Sequence, residues 1–326
     1  MFGSTQILIT GGTGFIGRHV VWRLIDRNAH IRLLCRTPQK AQRLFDGRVE
    51  IACGDLRNRQ DVAQAMQGVR TVIHLGAAYQ FGRESRKVVE ETNVGGTNYM
   101  LEAARRSGVE RFVHISSCGI LEGTDAVLTE QDFPKHVPAV ESYRRSKWLS
   151  ELAALEAARA GLPVTIASPT SPLGSGDDAP TPTGQIVRDY LRGQFPFTAR
   201  VGLNLVHVDD LAEGILAVLD RGRIGERYLL GRHNVWLHEF LRLLGEVAHR
   251  PAPRFILPQP AIILAGAVGE AVGSKRICRE TAAHAGRRQW FDFSKAVREL
   301  DWTGRTSLET IADEAIEWFE RRQMAA

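Results

Sequence analysis

Ten residues into the chain, the stretch Gly11-Gly12-Thr13-Gly14-Phe15-Ile16-Gly17 separates a short apolar run, Ile7-Leu8-Ile9, from an amphipathic segment, Phe15 to Arg27. The spacing satisfies both G-x-G-x-x-G (Gly12, Gly14, Gly17) and G-x-x-G-x-x-G (Gly11, Gly14, Gly17). Between a strand and a helix each glycine has a task. One makes the tight turn, one lets backbone approach a pyrophosphate, and one lets the helix pack closely on the strand. The helix N-terminus then offers unpaired N–H groups and a partial positive charge to phosphate. A chain that opens this way is constrained to a β-turn-α unit built around a dinucleotide.

The rest of the first half repeats the alternation. Apolar runs at Ile31-Leu34, Val49-Ala52, Thr71-Leu75, Phe112-Ile115 and Pro163-Ile166 are separated by stretches with helical periodicity. Such alternation predicts parallel strands with helices on both faces. After Ser168 the pattern loosens. The Pro/Thr-rich stretch 177–184 reads as a loop before a helix running to Arg192; Leu203-Val208 and Tyr228-Leu230 read as strands, and helices dominate from Trp236. The expected fold is α/β, a Rossmann-type doubly wound parallel sheet with a smaller, mainly helical C-terminal substrate lobe. Residues 1–170 form the dinucleotide-binding domain, 202–232 return to it, and 171–201 with 233–326 form the lobe, standing over the carboxyl edge of the sheet where ligands bind.

Charge and cysteine content exclude several classes. The net charge is +5, with 36 Arg and 6 Lys, but the basic residues are scattered, so no nucleic-acid stripe is expected. Cys35, Cys53, Cys118 and Cys278 lie far apart with no C-x-x-C, which argues against a disulfide framework or zinc site and for a reducing cytoplasm. The histidines show no metal spacing; His233 and His238 read as surface or structural, and no metal is expected. The first residues run straight into an apolar strand, so no signal peptide is expected. The apolar stretch Ala261 to Val272 is too short for a bilayer and is broken by Glu270, so no integral membrane segment is expected. It reads as a buried helix, with a shallow membrane-touching face as the alternative.

Two further groups carry chemistry. At the end of the second strand, Arg36 stands where an Asp or Glu would accept hydrogen bonds from the adenosine ribose of NAD; with Lys40 it can instead pair with a 2′-phosphate, which favours NADP(H) over NAD(H). Tyr143 and Lys147 are four residues apart, on one face of a helix. A neighbouring ammonium is expected to draw the tyrosine pKa down toward the working range of a general acid–base. A strand ending at Ser116-Ser117 supplies a hydroxyl for the substrate oxygen.

In this order, the Gly11–Gly17 loop, Gly54-Asp55-Leu56, His74-Leu75-Gly76-Ala77-Ala78, Asn93-Val94-Gly95-Gly96-Thr97, Ser116-Ser117, Tyr143-x-x-x-Lys147, Pro169-Thr170-Ser171-Pro172 and His207-Val208-Asp209-Asp210 resemble the extended short-chain dehydrogenase/reductase family, also called the NAD-dependent epimerase/dehydratase family. Within it the chain is similar to the dihydroflavonol-reductase-like branch. The stretches 180–184, 202–210 and 222–228 resemble the bacterial hopanoid-associated sugar epimerase group.

The resemblance implies a cofactor site of Gly11, Thr13, Gly14, Phe15, Ile16, Gly17, Arg36, Lys40, Asp55, Leu56, Leu75, Gly76, Ala77, Tyr143, Lys147, Pro169, Thr170 and Ser171. It implies catalysis by Ser117, with Ser116 as the fallback, together with Tyr143 and Lys147. Asn93 would support the active-site loop, and His207 to Asp210 would begin a helix. Sugar 4,6-dehydratases of the family place an acidic pair directly after the catalytic Ser/Thr; here Cys118 and Gly119 stand there, which disfavours dehydration.

The leading expectation is therefore a reductase or dehydrogenase acting on a carbonyl or secondary alcohol of a small molecule. A nucleotide-sugar epimerase with tightly held cofactor uses the same residues and stays open. A non-enzymatic NADP-sensing regulator is disfavoured by the intact Tyr–Lys pair. Helices near 85–107 and 141–160 resemble those of a family dimer interface, so a homodimer is expected. The 177–184 loop is expected to close over substrate.

Overall fold

The computed structural model describes residues 6–79, 86–123, 127–137, 142–264 and 289–324. Cys278 and residues 265–272 of the apolar stretch lie outside them.

The alternation seen in sequence folds as β1 (Gln6–Thr10), α1 (Phe15–Asp26), β2 (His30–Cys35), α2 (Pro38–Phe45), β3 (Glu50–Cys53), α3 (Arg59–Ala65) and β4 (Val69–His74). There follow α4 (Arg86–Glu90), a π-helical turn (Glu91–Gly95), α5 (Gly96–Arg106), β5 (Arg111–Ile115), α6 (Ser142–Arg159) and β6 (Val164–Pro169). Seven strands form one sheet in the order β10-β6-β5-β4-β1-β2-β3, where β10 is Arg227–Leu230. Every neighbouring pair is parallel. The carboxyl ends of all seven strands therefore share one edge.

Period-two alternation decides the two faces. Ile7 and Ile9 of β1 point into a core with Val20, Val21 and Leu24 of α1 and Leu211, Ile215 and Leu216 of α8 (Val208–Arg221). Leu8 points the other way, to Val62 of α3, Met100 and Ala104 of α5 and Ala154 of α6.

The segment 202–232 divides. β9 (Gly202–His207) pairs with β7 (Ser171–Leu173) and β11 (His233–Trp236) in a separate three-stranded sheet, while α8 and β10 join the main one. A third core holds the lobe, built from α7 (Pro182–Leu191), α9 (Leu237–Ala248) and α11 (Leu308–Met324). Helix α10 (Ser294–Leu300) lies apart from it; Ala296 and Leu300 pack into the core of the main sheet.

The helix after the Pro/Thr stretch starts earlier than the sequence suggests. Pro182 opens α7, and the Thr181 hydroxyl caps it by accepting from the Gly184 N–H at 3.1 Å. The expected closing loop is tied down on both sides. Asp178 pairs with Arg18 of α1, and Asp177 is buried and accepts from the Thr181 N–H and hydroxyl, each at 2.8 Å. The Trp318 indole of α11 donates to the Asp177 carbonyl at 3.4 Å.

Candidate active site

The cofactor loop leaves β1 with Gly11 at φ +71°, a left-handed conformation that favours glycine. A Cβ there would stand 2.7 Å from the Gly76 nitrogen, and one at Gly17 would stand 2.2 Å from the Gly11 carbonyl oxygen. Glycine at both positions thus lets the loop seat against the end of β4 and α1 seat against the loop. No side chain caps the start of α1 and its first turn has no acidic residue, so its N–H groups face the opening.

Around that opening the parallel sheet collects the other sequence-predicted residues. Arg36 is exposed at the end of β2, and Lys40 lies half-buried in the first turn of α2. Asp55, after β3, accepts from the Arg57 N–H at 2.9 Å and its guanidinium at 2.7 Å. The Arg57 hydrogen bonds, with Arg36 adding a weaker field, hold the Asp55 carboxyl below the usual range. Beyond β4, the Gly76 N–H donates to the Thr10 hydroxyl at 2.9 Å, and Leu75 and Ala77 are half-buried beside it. A Cβ on Gly76 would meet Leu56 at 2.5 Å. Pro169 ends β6, and the Thr170 N–H is taken by the Leu230 carbonyl at 3.0 Å.

The two serines after β5 have different surroundings. Ser116 is buried and its hydroxyl donates to the Glu151 carboxylate. Ser117 is half-buried, and its oxygen accepts from the Gly119 N–H at 3.2 Å, leaving the hydroxyl proton available to donate. Cys118 follows, its thiol pushed up to about 12 by burial, so it offers no acid.

Helix α6 brings the Tyr143–Lys147 pair to the same edge. Lys147 is buried and its Nζ donates to the Ile115 carbonyl at 2.8 Å, directly below the serines. Burial draws its pKa from 10.5 down to about 8, against the opposing pull of Glu151. The expected lowering of the Tyr143 pKa does not occur. Burial, then Tyr79 and Cys118, push it up. The Tyr79 ring stands edge-on to Tyr143, centroids 4.4 Å apart. In this arrangement Tyr143 is a firmly protonated phenol, able to hydrogen-bond a substrate oxygen but a weaker acid than free tyrosine.

Two features escaped sequence reasoning, the Glu151–Arg227 pair and the hydrogen bonds of His74, while Asn93 was expected to support the active-site loop. Glu151, one turn beyond Lys147, is fully buried and forms an ion pair with Arg227 of β10, whose guanidinium also donates to the Glu130 carbonyl at 2.7 Å. The helical spacing 143-147-151 was a usable signal; the partner, 76 residues away, was not. His74 bridges the Thr10 hydroxyl at 2.7 Å and the Thr97 hydroxyl at 3.0 Å, and burial lowers its pKa to about 3, so it is neutral. Asn93 sits in the π-helical turn between α4 and α5. It accepts from the Ala78 N–H at 2.7 Å and donates to the Ala78 carbonyl at 3.1 Å and to the Ser146 hydroxyl at 2.9 Å. It ties the loop after β4 to α6 and lies off the reacting edge.

His207 caps α8, its Nδ1 accepting from the Asp209 N–H at 3.3 Å, with Nε2 2.9 Å from Glu314. Asp210 accepts from the Arg305 and Thr306 N–H groups, each at 2.8 Å. Both are occupied in structure. Among the described residues no three His, Cys, Asp or Glu side chains gather as a metal site, and no helix is long and apolar enough to cross a membrane.

The model of the NAD-dependent epimerase/dehydratase family matches residues 7–231. The chain belongs to that family. It is 32% identical over 324 residues to the Synechocystis sp. protein named "Putative dihydroflavonol 4-reductase", covering 96% of this chain and 94% of that one. It is 28% identical to sterol demethylase protein B of Methylococcus capsulatus, covering 97% of this chain and 99% of that one. The crystal structure of PA4631, a nucleoside-diphosphate-sugar epimerase from Pseudomonas aeruginosa, superposes with a TM-score of 0.82 at 26% identity, covering 98% of this chain and 99% of that one. Family members of this kind are NAD-dependent enzymes on a Rossmann-type fold, and the seven-stranded parallel sheet is that fold.

Proposed function

We propose that the chain is an NAD(P)-dependent oxidoreductase that reduces a carbonyl, or oxidises the corresponding secondary alcohol, with Ser117, Tyr143 and Lys147 acting on the substrate oxygen. The observation that carries the reading is Lys147. A buried amine one helical turn from a half-buried phenol, anchored to the last carbonyl of β5, stands on the edge where the glycine cradle opens. A burial this unfavourable to charge fits a functional placement.

A nicotinamide dinucleotide fits the cradle, because the start of α1 has neither a side-chain cap nor an acidic residue in its first turn to oppose a pyrophosphate. Bound there, it supplies or accepts the hydride at the substrate carbon. Gly11 to Gly17 would hold its pyrophosphate, Leu56 and Leu75 to Ala77 would line its path, and Pro169 to Ser171 would flank its far end. Arg36, with Arg57 close by across Asp55, supports NADP(H) over NAD(H) through charge-assisted bonds to a 2′-phosphate.

In reduction the Ser117 hydroxyl donates a hydrogen bond to the carbonyl oxygen and Tyr143 delivers the proton. The Lys147 ammonium, with Tyr143 on its own helix face, stabilises the phenolate so formed; in oxidation the proton returns to Tyr143. The relatives' names point to ring ketones and ring alcohols as the first substrates to try. The test is a panel of cyclic ketones, aldehydes and nucleotide sugars with NADPH and NADH. Tyr143→Phe should lower kcat by about 100-fold or more while leaving dinucleotide binding intact. Turnover unchanged in that variant would overturn the assignment.

The likeness to the sugar epimerase keeps a second reading in play, in which the same residues remove and return hydride on opposite faces of a sugar carbon. Purified protein that retains its dinucleotide and interconverts nucleotide sugars with no net NADPH consumption would favour it. Water elimination is disfavoured, since Cys118 holds its proton and Gly119 has none to give.

A further inference from the structure

Several exposed large apolar side chains lie on two neighbouring stretches of the lobe, 197–199 and 255–264. There β8 (Thr198–Ala199) pairs in parallel with β12 (Ile256–Leu257), the Thr198 N–H donating to the Phe255 carbonyl at 2.9 Å. The chain then passes through Pro258 into a helical turn, where the Ala261 N–H donates to the Pro258 carbonyl at 3.0 Å. Phe255 is 73% exposed, Leu264 66%, Ile263 52%, Ile256 49% and Phe197 38%. Thr198, by contrast, is buried; Ile256 is its register partner and shares its side of the small sheet, while Phe197 and Phe255, one residue before each, alternate to the other side. Single exposed apolar residues are ordinary; a contiguous group marks a contact surface.

The same stretches carry charge of one sign. Residues 192–201 and 249–264 contain Arg192, Arg200, Arg250 and Arg254 and neither Asp nor Glu. Arg250 is turned to Glu320 of α11, at 2.7 Å. Arg192, Arg200 and Arg254 are exposed, and Arg200 lies over the Trp236 ring, 4.9 Å from its centroid. This combination decides between partners. Two copies of the face brought together would set guanidinium against guanidinium, which opposes self-association. Exposed apolar side chains together with arginines match the boundary of a bilayer, where apolar groups enter the acyl region and guanidinium groups meet lipid phosphates.

We infer that the surface carrying Phe197, Phe255, Ile263 and Leu264, with the exposed Arg192, Arg200 and Arg254 on the same stretches of chain, docks peripherally on anionic lipid bilayers. The inference is independent of the reaction assigned above. It concerns a side of the lobe built from β8, β12 and the turn after Pro258, none of which carries a proposed site residue.

The experiment is co-sedimentation of the full chain with phosphatidylcholine vesicles, with and without phosphatidylglycerol, at low and raised salt. The chain should pellet with the anionic vesicles and be released by salt. The double variant Phe255→Ser/Leu264→Ser should partition about a hundred-fold less or lower still, the factor for withdrawing two such side chains from an apolar phase. Arg200→Gln/Arg254→Gln should lose the preference for the anionic lipid. Both positions of each pair are exposed, so thermal melting should stay near that of the parent chain; should the serine variant not fold, the arginine variant decides alone. A chain that stays in the supernatant with both vesicles would overturn the inference. So would binding indifferent to lipid charge, or a dimer in sedimentation equilibrium that the serine variant dissociates.

Discussion

Replacing Lys147 by Met tests whether the site holds a costly charge for the sake of chemistry. Lys147 is 5% exposed, and burial lowers its pKa from 10.5 to about 8. Between those values the unfolded chain binds a proton that the folded chain has released, so stability rises with pH across this window. Below it both states are protonated and the full penalty stands, about 3 kcal/mol at 1.36 kcal/mol per pH unit. Above about pH 10.5 both states are neutral and the penalty is gone. Methionine keeps the length and the apolar stem but does not titrate.

The variant also loses the hydrogen bond to the Ile115 carbonyl, worth about 1–3 kcal/mol when the acceptor is left buried. That loss is independent of pH and drops out of a comparison across pH. Urea unfolding of both proteins from about pH 7 to about pH 9.5 should show the stability difference moving by roughly 2 kcal/mol in favour of the wild type as pH rises. Enzyme activity should be lost at every pH. A difference that stays constant across this range, or moves toward the variant, would refute the reasoning, because the buried amine would then carry no charge penalty.

Gly17→Ala places a Cβ 2.2 Å from the Gly11 carbonyl oxygen and should weaken dinucleotide binding about ten-fold or more, with about 1–3 kcal/mol lost from stability; calorimetric titration giving wild-type affinity would contradict it. Arg227→Met strands the buried Glu151 carboxylate and should cost about 3–5 kcal/mol, much of it recovered in Glu151→Leu/Arg227→Met. A double-mutant cycle in urea reads the coupling, and simple additivity would show that the pair does not interact. Arg36→Asp should lower affinity for NADPH by about ten-fold to a hundred-fold, the worth of one charged hydrogen bond, while sparing NADH. Equal losses for both would remove Arg36 from the 2′-phosphate.

The parts of this molecule that repeat with a short period were legible in its sequence. Strands β1 to β6 follow from apolar runs spaced by helical stretches, and the glycine loop fixes which end of the sheet is the working edge. β7 and β11 were missed because Ser171-Pro172-Leu173 and His233-Asn234-Val235-Trp236 are too short to show alternation; they exist only because β9 lies between them. Contacts between distant positions were invisible for the same reason. Glu151 meets Arg227, and Cys35 pairs in register with Cys53 across β2 and β3 although the cysteines look isolated along the chain. Tyr143 and Lys147 were visible as a pair, but not the burial that drives their pKa values in opposite directions, since desolvation depends on what the finished fold places around them.

The wide turn at Glu91–Gly95 has a consequence for how this helix can change. One residue removed there would let the segment from Arg86 to Arg106 run as an ordinary α-helix, locally easier to form. It would also swing everything on one side of the deletion by about 100° relative to the other, carrying the Asn93 amide away from Ala78 and Ser146 or unseating Met100 and Ala104 from the sheet. The irregularity is therefore the joint that lets one helix serve two masters, a packed face at one end and a loop beside the phenol at the other.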